Sequence, residues 1–237
     1  MDNIRQRQML SYLKSRRSCT LEELMAHFKV SSATIHRDAA ALSRRDAIER
    51  VRGGLLYRDA PDPAAGAADY QGRVVTHRAQ KIAAARKALA LIEEGDILFL
   101  DSSTTVYELA LLLMKCSFDH LTVITNSIAV MHLFRKFPPH WSMISLGGNY
   151  DPQLNAILGA SAIEQLSRFN ITKAFISAFG LDDKATTTNH ERQAEMLKSI
   201  LDAADKRFLI IDHTKLHRKG LYRIASRGRF DAILTDR

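Results

Sequence analysis

The amino-terminal quarter of the chain carries apolar residues at helical spacing. This spacing predicts a helix over residues 3–16 and a second helix over residues 21–28. After a short turn a third helix, capped by Ser31 or Ser32, runs to about residue 43. Two helices joined by so short a turn predict a helix-turn-helix.

A basic hairpin is predicted directly after the third helix. Apolar residues between positions 48 and 55 support two short strands, with Gly53 and Gly54 at the bend. A hairpin in this place is a wing that reaches phosphates or the minor groove. Residues 1–58 are therefore predicted to form a winged helix-turn-helix domain.

The third helix is expected to turn its apolar positions to the core and its hydroxyl and basic residues outward. Short hydroxyls at a helix start suit phosphate, and Arg37 suits guanine or phosphate. The alternatives are a solvated surface side chain for His36 and a salt bridge between Arg37 and Asp38. The candidate DNA-binding residues are Ser31, Ser32, Thr34, His36, Arg37, Arg50, Arg52 and Gly53.

The charge of the chain is uneven, and this supports the same interpretation. The net charge is +8, and residues 1–58 hold 12 Lys or Arg against 6 Asp or Glu. A small basic segment is typical of binding to a phosphate backbone. A solubilising charged face is the alternative, so charge alone does not decide the function.

The rest of the chain alternates strand and helix patterns after a linker over residues 59–72, which is rich in Pro, Gly and Ala. A helix is predicted over residues 73–93, and others over 104–116, 127–137, 160–169 and 190–205. Short apolar runs predict strands at residues 97–101, 121–125, 142–146, 173–177, 208–212 and 231–235. Residues 73–237 are therefore predicted to be an α/β domain with a mostly parallel sheet.

Small, polar or charged residues follow successive predicted strands. "DSSTT" (residues 101–105) opens a helix, where hydroxyls and free N–H groups suit a phosphate, although simple N-capping is the alternative. Because ligands bind at the carboxyl ends of parallel strands, a pocket for a phosphorylated small molecule is expected there. The candidate effector-binding residues are Asp101, Ser102, Ser103, Thr104, Thr105, Asn126, Gly147, Gly148, Gly180, Asp212 and Lys215.

These motifs resemble the DeoR family of bacterial transcription regulators over nearly the whole chain. "LEELMAHFKVSSATIHRDAAAL" with "IERVRGGLL" is similar to the family's DNA-binding domain, and "DSSTT", "TNS", "LGG" and "DHTK" to its sensor domain. The family usually has glycine at the positions of Lys29 and Ser103, arginine at His36 and leucine at Ala39. The resemblance implies a sensor fold like ribose-5-phosphate isomerase and the coenzyme A transferases. It also implies a repressor controlled by a phosphorylated sugar or a related metabolite.

The sequence predicts no cofactor and no metal site. Cys19 and Cys116 lie far apart in the sequence. His213 and His217 have no third metal ligand nearby in the sequence, so both are predicted to be surface histidines. No apolar run is long enough for a membrane span and no signal peptide is evident, so a cytoplasmic protein is expected. The expected partners are double-stranded operator DNA and a second or further copy of the chain, as a dimer or tetramer.

Two other functions stay open on the sequence. A sugar-phosphate isomerase would need a carboxylate base, and the candidates are Asp101, Asp182, Asp183, Glu191 and Asp212. Fold similarity does not transfer chemistry, so no catalytic residue is predicted. The second alternative is a DNA-binding regulator without a small-molecule effector, if Ser103 closes the pocket.

Overall fold

The computed structural model describes residues 4–16, 18–43, 48–51, 53–57 and 70–237. The chain divides into two compact units, Met1–Gly66 and Ala67–Arg237. Arg52 and residues 59–69 of the predicted linker lie outside the described residues.

The first unit is a winged helix-turn-helix. Its helices are α1 (Ile4–Arg16), α2 (Leu21–Phe28) and α3 (Ser32–Ser43), and its strands are β1 (Ser18–Thr20), β2 (Ile48–Val51) and β3 (Gly54–Tyr57). The strands form an antiparallel sheet in the order β1-β3-β2. Thr20 caps α2 in a capping box with Glu23. Apolar side chains from all three helices and the sheet share one core, which includes Met9, Leu13, Leu24, Ile35 and Leu55.

A buried carboxylate ties α1 to α3. Asp38 of α3 is buried and accepts hydrogen bonds from Arg5 Nε at 2.6 Å and Gln6 Nε2 at 3.0 Å. Burial alone would raise the pKa of Asp38, but these hydrogen bonds outweigh it and lower the pKa. The contact fixes the orientation of α3 within the unit.

The second unit is built on a six-stranded parallel sheet in the order β14-β12-β9-β4-β5-β6. Its helices are α4 (Tyr70–Val75), α5 (Arg78–Leu89), α6 (Thr104–Leu113), α7 (Ile128–Leu133), α8 (Ala160–Leu166) and α9 (Glu191–Ala203). The strands of this sheet are β4 (Ile97–Leu100), β5 (Thr122–Thr125), β6 (Ser142–Ser145), β9 (Ile171–Ile176), β12 (Ala204–Ile210) and β14 (Ala232–Leu234). The predicted α/β fold class is confirmed.

Helices cover both faces of the sheet, and each face has its own apolar cluster. One cluster joins α5, α6 and α7 to side chains such as Leu98 and Leu100. The other joins α8 and α9 to side chains such as Phe99 and Ile124. Adjacent residues of β4 therefore pack on opposite faces, as the two-residue period of a strand requires.

Smaller antiparallel elements, which the sequence did not predict, flank the main sheet. The strands β7 (Asn149–Asp151) and β8 (Ala156–Leu158) form a hairpin, and β10 (Gly180–Leu181), β11 (Ala185–Thr188) and β13 (Tyr222–Ser226) form a three-stranded sheet. Short 3-10 turns cover Phe134–Lys136, His213–Lys215 and Arg227–Arg229. Most of these strands contain polar residues or glycine, so they lack the apolar runs by which the strands of the main sheet were predicted.

The helix predicted over residues 73–93 is two helices. The chain breaks at His77, a non-glycine residue with φ of 53°, and residues 70–72 of the predicted linker belong to α4. Lys81 of α5 holds the break, because its Nζ donates to the carbonyls of Arg73 and Thr76, the latter at 2.7 Å. A buried ammonium thus satisfies carbonyl groups at the end of α4.

We predict that Lys29→Gly stabilises the first unit by about 1 kcal/mol, because Lys29 ends α2 with φ of 52°, a region that favours glycine. The measurement is amide hydrogen exchange of α2 and α3, which should slow in the variant. Lys29→Ala is the matched control, since it removes the side chain and keeps the unfavourable φ. Equal exchange in both variants would contradict the prediction.

Candidate functional site

The outward face of α3 presents hydroxyl and basic side chains. Ser31, Ser32, His36 and Arg37 are exposed, and Thr34 is partly buried. The hydroxyls of Ser31 and Thr34 lie 3.1 Å apart, and the Ser31 carbonyl accepts from the Thr34 N–H at 3.0 Å. The helix start is therefore ordered by its own hydroxyl residues, with its side chains turned to solvent.

Arg37 does not form the salt bridge with Asp38 that the sequence left open as an alternative. The carboxylate of Asp38 points to α1, where it is bonded to Arg5 and Gln6. Arg37 lies beside it in sequence but is exposed. Its guanidinium is available to a partner outside the unit.

The wing contacts α3 through a hydrogen bond between two candidate residues. Arg50 Nη2 of β2 lies 3.1 Å from His36 Nδ1. A guanidinium only donates, so Nδ1 of His36 is the acceptor in this contact. Gly53, with φ of 84°, forms the bend of the hairpin. The described candidates thus come from one face made of α3 and β2.

In the second unit the register of the sheet brings four predicted strand ends together. Leu100 of β4 pairs with Thr125 of β5 and with Phe175 of β9, and Leu209 of β12 pairs with Ile176. The residues that follow these strands, Asp101, Asn126, Ser177 and Asp212, are buried. We call this place the carboxyl edge.

Asp101 connects the loop after β4 to the neighbouring strand end. Its two carboxylate oxygens accept from the N–H groups of Ser103 and Ser177, each at 2.9 Å. Burial raises the pKa of Asp101 to about 6, although these hydrogen bonds oppose the shift. Both oxygens serve to hold the backbone.

The loop of residues 101–105 opens α6 with buried hydroxyl groups. Ser103 is the N-cap, and its Oγ accepts from the Val106 N–H at 3.2 Å. Ser102, Thr104 and Thr105 are buried. N-capping accounts for the hydroxyl of Ser103 and leaves those of the others unexplained.

The turn after β12 contributes an acid and a base. Asp212 Oδ1 accepts from the Thr214 N–H at 3.1 Å, and Lys215 Nζ donates to the Ala178 carbonyl at 3.0 Å. Burial lowers the pKa of Lys215, with the charge of Asp212 opposing the shift. The ammonium is thereby held beside the carboxyl edge.

Sequence reasoning missed residues that α4 and α5 bring to the same place. Burial lowers the pKa of Lys81 to about 8, and the charge of Lys215 lowers it further, so the two ammonium groups are electrostatic neighbours. Arg73 Nη2 donates to the Gln153 carbonyl at 3.2 Å. A signal existed for Lys81: it shares a helical face with the buried residues Ala84, Ala85 and Ala88.

Several buried polar atoms at the carboxyl edge have no hydrogen-bond partner among the described residues. They are Tyr70 Oη, Thr105 Oγ1, Asn126 Oδ1, Ser177 Oγ and Asp212 Oδ2. Such atoms are rare in proteins and call for an explanation. Their convergence on one edge, beside two lysines, is what a site for a polar anion would show.

The candidate glycines have structural roles that the sequence did not reveal. Gln165 bonds both the N–H and the carbonyl of Gly147, each at 3.0 Å. A Cβ at Gly148 would lie 2.8 Å from the Leu158 carbonyl oxygen, and one at Gly180 would lie 2.2 Å from that of Arg218. Backbone packing explains the glycine at positions 148 and 180.

The described residues contain no cluster of three or more His, Cys, Asp or Glu side chains that could hold a metal ion. His213 Nδ1 is instead bonded to Asp236 at 2.7 Å. No described helix has the length and apolar character needed to cross a membrane.

Comparison with known proteins identifies both units. The DeoR-like helix-turn-helix domain matches residues 5–60, and the DeoR C terminal sensor domain matches residues 76–237. The chain belongs to the DeoR family. The family resemblance in the sequence is confirmed.

Curated DeoR-family relatives match over nearly their whole length. The HTH-type transcriptional repressor GlcR of Bacillus subtilis (strain 168) is 31% identical over 97% of this chain and 86% of the relative. The L-fucose operon activator of Escherichia coli (strain K12) is 31% identical over 100% and 96%. A solved D-ribose-5-phosphate isomerase in complex with phospho-erythronic acid is 19% identical, with a TM-score of 0.43, over 59% of this chain and 54% of the isomerase.

The structure explains how this DeoR-family chain tolerates serine where the family usually has glycine. Ser103 has φ of −74° and ψ of 151°, an extended conformation that any residue adopts. Its hydroxyl is turned back onto α6 as the N-cap. The side chain therefore stabilises the helix start instead of reaching across the carboxyl edge.

We predict that the free energy of unfolding of the wild type, relative to Lys81→Met, rises between about pH 8 and pH 10.5. The folded pKa of Lys81 is lowered, so over this range the unfolded state binds more protons and stability increases with pH. The full difference is about 3 kcal/mol. Urea unfolding followed by the fluorescence of Trp141, the single tryptophan, measures it.

Lys87→Met is the matched control, because Lys87 is an exposed lysine on the same helix. The pH-dependent difference should be larger for Lys81→Met than for this control. A difference for Lys81→Met that stays constant across this pH range would contradict the assignment of a lowered pKa.

Proposed function

We propose that this DeoR-family chain regulates carbohydrate-metabolism genes, as a repressor, by binding operator DNA under the control of a phosphorylated sugar. The observation that carries the proposal is that one chain combines two sites. One is the exposed face of α3 with β2. The other is the carboxyl edge, with its unpartnered polar atoms and two lysines.

The face of α3 and β2 supports binding to duplex DNA. Exposed hydroxyls at the start of α3 suit phosphate, Arg37 is free of Asp38, and Arg50 adds a second guanidinium beside His36. Recognition helices of this kind enter the major groove with their first turns. The family assignment of residues 5–60 to a DeoR-like helix-turn-helix domain supports the same role.

The carboxyl edge supports binding of a phosphorylated polyhydroxy compound. The N–H groups and hydroxyls at the start of α6 suit a phosphate, and the ammonium groups of Lys81 and Lys215 add charge. Asn126 Oδ1 and Asp212 Oδ2 are acceptors that suit sugar hydroxyls. The other predicted contacts, from Ser102 to Thr105, line the loop between these groups.

The names of the relatives support a role in carbohydrate metabolism. They include a lactose phosphotransferase system repressor of Lactococcus lactis and a putative aga operon repressor of Escherichia coli O157:H7. Repressors predominate among these names, and two relatives are L-fucose operon activators. We propose repression on this basis.

We propose that the protein acts in the cytoplasm, where a DNA-binding regulator meets the chromosome, as a homo-oligomer, a dimer or tetramer. Regulators of this class bind two half-sites with two copies of the recognition helix, and closed symmetry supplies them. Light scattering of the purified chain measures the number of copies.

We propose that the carboxyl edge binds its ligand without converting it. Isomerisation needs a carboxylate base, but both oxygens of Asp101 hold backbone N–H groups, and Asp182 holds the turn to Ala185. Asp212, with one unpartnered oxygen, is the candidate that an isomerase would use. Incubation with ribose 5-phosphate and analysis by NMR would reveal any ketose product.

We predict that Arg37→Ala weakens binding to operator DNA about tenfold or more, because a guanidinium contact to base or phosphate is lost. The probe is a duplex selected from random sequences by the wild-type chain, and titration by fluorescence anisotropy gives the affinity. Arg192→Ala is the control with the same change of charge at an exposed position of α9. Undiminished affinity in Arg37→Ala would remove this residue from the interface.

We predict that Thr104→Asp abolishes the rise in melting temperature that a sugar phosphate causes. A carboxylate at the start of α6 repels the phosphate, while the helix dipole tolerates it, so the fold persists. The measurement is a thermal-shift screen with hexose, pentose and triose phosphates and the matching free sugars. Thr104→Asn, of the same shape without the charge, should keep a measurable response.

The three possible results of this screen separate the alternatives. A rise with one phosphorylated compound, lost in Thr104→Asp, supports the site. The same rise in Thr104→Asp places the ligand elsewhere, and no rise with any compound favours a regulator without a small-molecule effector.

A further inference from the structure

Tyr70, the first residue of α4, carries a buried hydroxyl into the surroundings of the carboxyl edge. The side chain is 4% exposed, and its Oη has no hydrogen-bond partner among the described residues. The charged or titratable groups that act on it are Tyr107, Arg73, Asp101 and Glu108. The hydroxyl therefore faces the loop after β4 and the first turns of α6.

The acidic neighbours of this hydroxyl are already engaged with other groups. Glu108 accepts from Arg78 Nε at 2.7 Å and from Arg78 Nη2 at 3.4 Å. Asp101 accepts from two backbone N–H groups. These two carboxylates are therefore hydrogen-bonded without the Tyr70 hydroxyl.

A purely structural role would favour phenylalanine at position 70. The ring would be buried equally well, and the free energy cost of an unpartnered buried hydroxyl would be avoided. Of the four other unpartnered polar atoms, one belongs to Thr105 at the start of α6, and three lie just after β5, β9 and β12. A ligand with several polar atoms is the common partner that these groups lack.

We propose that the Tyr70 hydroxyl hydrogen-bonds the effector at the carboxyl edge, so that α4 forms part of the effector site. This inference rests on the proposed function, because it needs a polar effector bound there. Burial raises the pKa of Tyr70, so the phenol stays neutral and is able to donate.

This contact makes α4 the element that senses the effector. Its end is held by Lys81, which bonds the carbonyls of Arg73 and Thr76, and Arg73 bonds the Gln153 carbonyl in the loop of the β7–β8 hairpin. In sequence, α4 is the first described element after the DNA-binding unit. A bond between effector and Tyr70 therefore acts on the segment where the linker enters the second unit.

The test is Tyr70→Phe in the full chain, with the sugar phosphate that gives the largest thermal shift on the wild type. We expect affinity, measured by calorimetry, to fall about two- to tenfold, as the loss of one hydrogen bond predicts. The melting temperature without ligand should stay equal or rise, because the buried hydroxyl is gone. Tyr222→Phe in β13 is the control and should change neither value.

Unchanged affinity in Tyr70→Phe overturns the inference and leaves the proposed function intact, since the wild type still binds a sugar phosphate. A wild type that binds none of the compounds overturns both. A second measurement distinguishes contact from packing. In Tyr70→Phe, the effector concentration that gives half of the change in DNA binding should rise by the same factor as the dissociation constant of the effector. A fall in the DNA affinity of the unliganded variant would instead indicate a structural role.

Discussion

The candidate effector site depends on one carboxylate. Asp101 follows β4 directly, and its two oxygens bind the N–H of Ser103 in its own loop and the N–H of Ser177 at the end of β9. The first bond shapes the loop that opens α6, and the second fixes that loop to the neighbouring strand. A buried carboxylate is costly, and it is retained because both oxygens are satisfied by backbone donors. The hydroxyls of Ser102, Thr104 and Thr105 owe their position to this connection.

The DNA-binding unit uses a buried carboxylate in a similar way. Asp38 is adjacent to Arg37 on α3, and a sequence alone leaves open whether the two pair. In the structure Asp38 accepts hydrogen bonds from Arg5 and Gln6 of α1. These bonds fix the orientation of α3, and Arg37 stays exposed. In both units an acid next to candidate binding residues is used for scaffolding, and the binding groups beside it stay available.

Periodicity predicted most of the fold, because long amphipathic helices and buried parallel strands each have a clear spacing. The helices of the first unit and the strands of the main sheet follow from it. The break at His77 could not be predicted, since a non-glycine residue with positive φ leaves no signal in the sequence. Of the candidate site, the residues after strands were found by the rule for parallel sheets. Tyr70 was missed because tertiary contacts bring it to the edge, and Lys81 was missed although its place on the buried face of α5 was a signal in the sequence.

Under the proposed function, the two lysines favour a phosphorylated ligand over a free sugar. The pKa of Lys81 is lowered by burial and by Lys215, and that of Lys215 by burial; the charge of Asp212 opposes both shifts but does not cancel them. The carbonyls at the end of α4 satisfy the hydrogen bonds of Lys81, but they carry no full charge. A phosphate dianion would relieve this repulsion and raise both pKa values, whereas an uncharged sugar would bury the lysines further without compensation. We therefore expect the electrostatics of the unliganded site to favour an anionic ligand, whatever contacts then determine its shape.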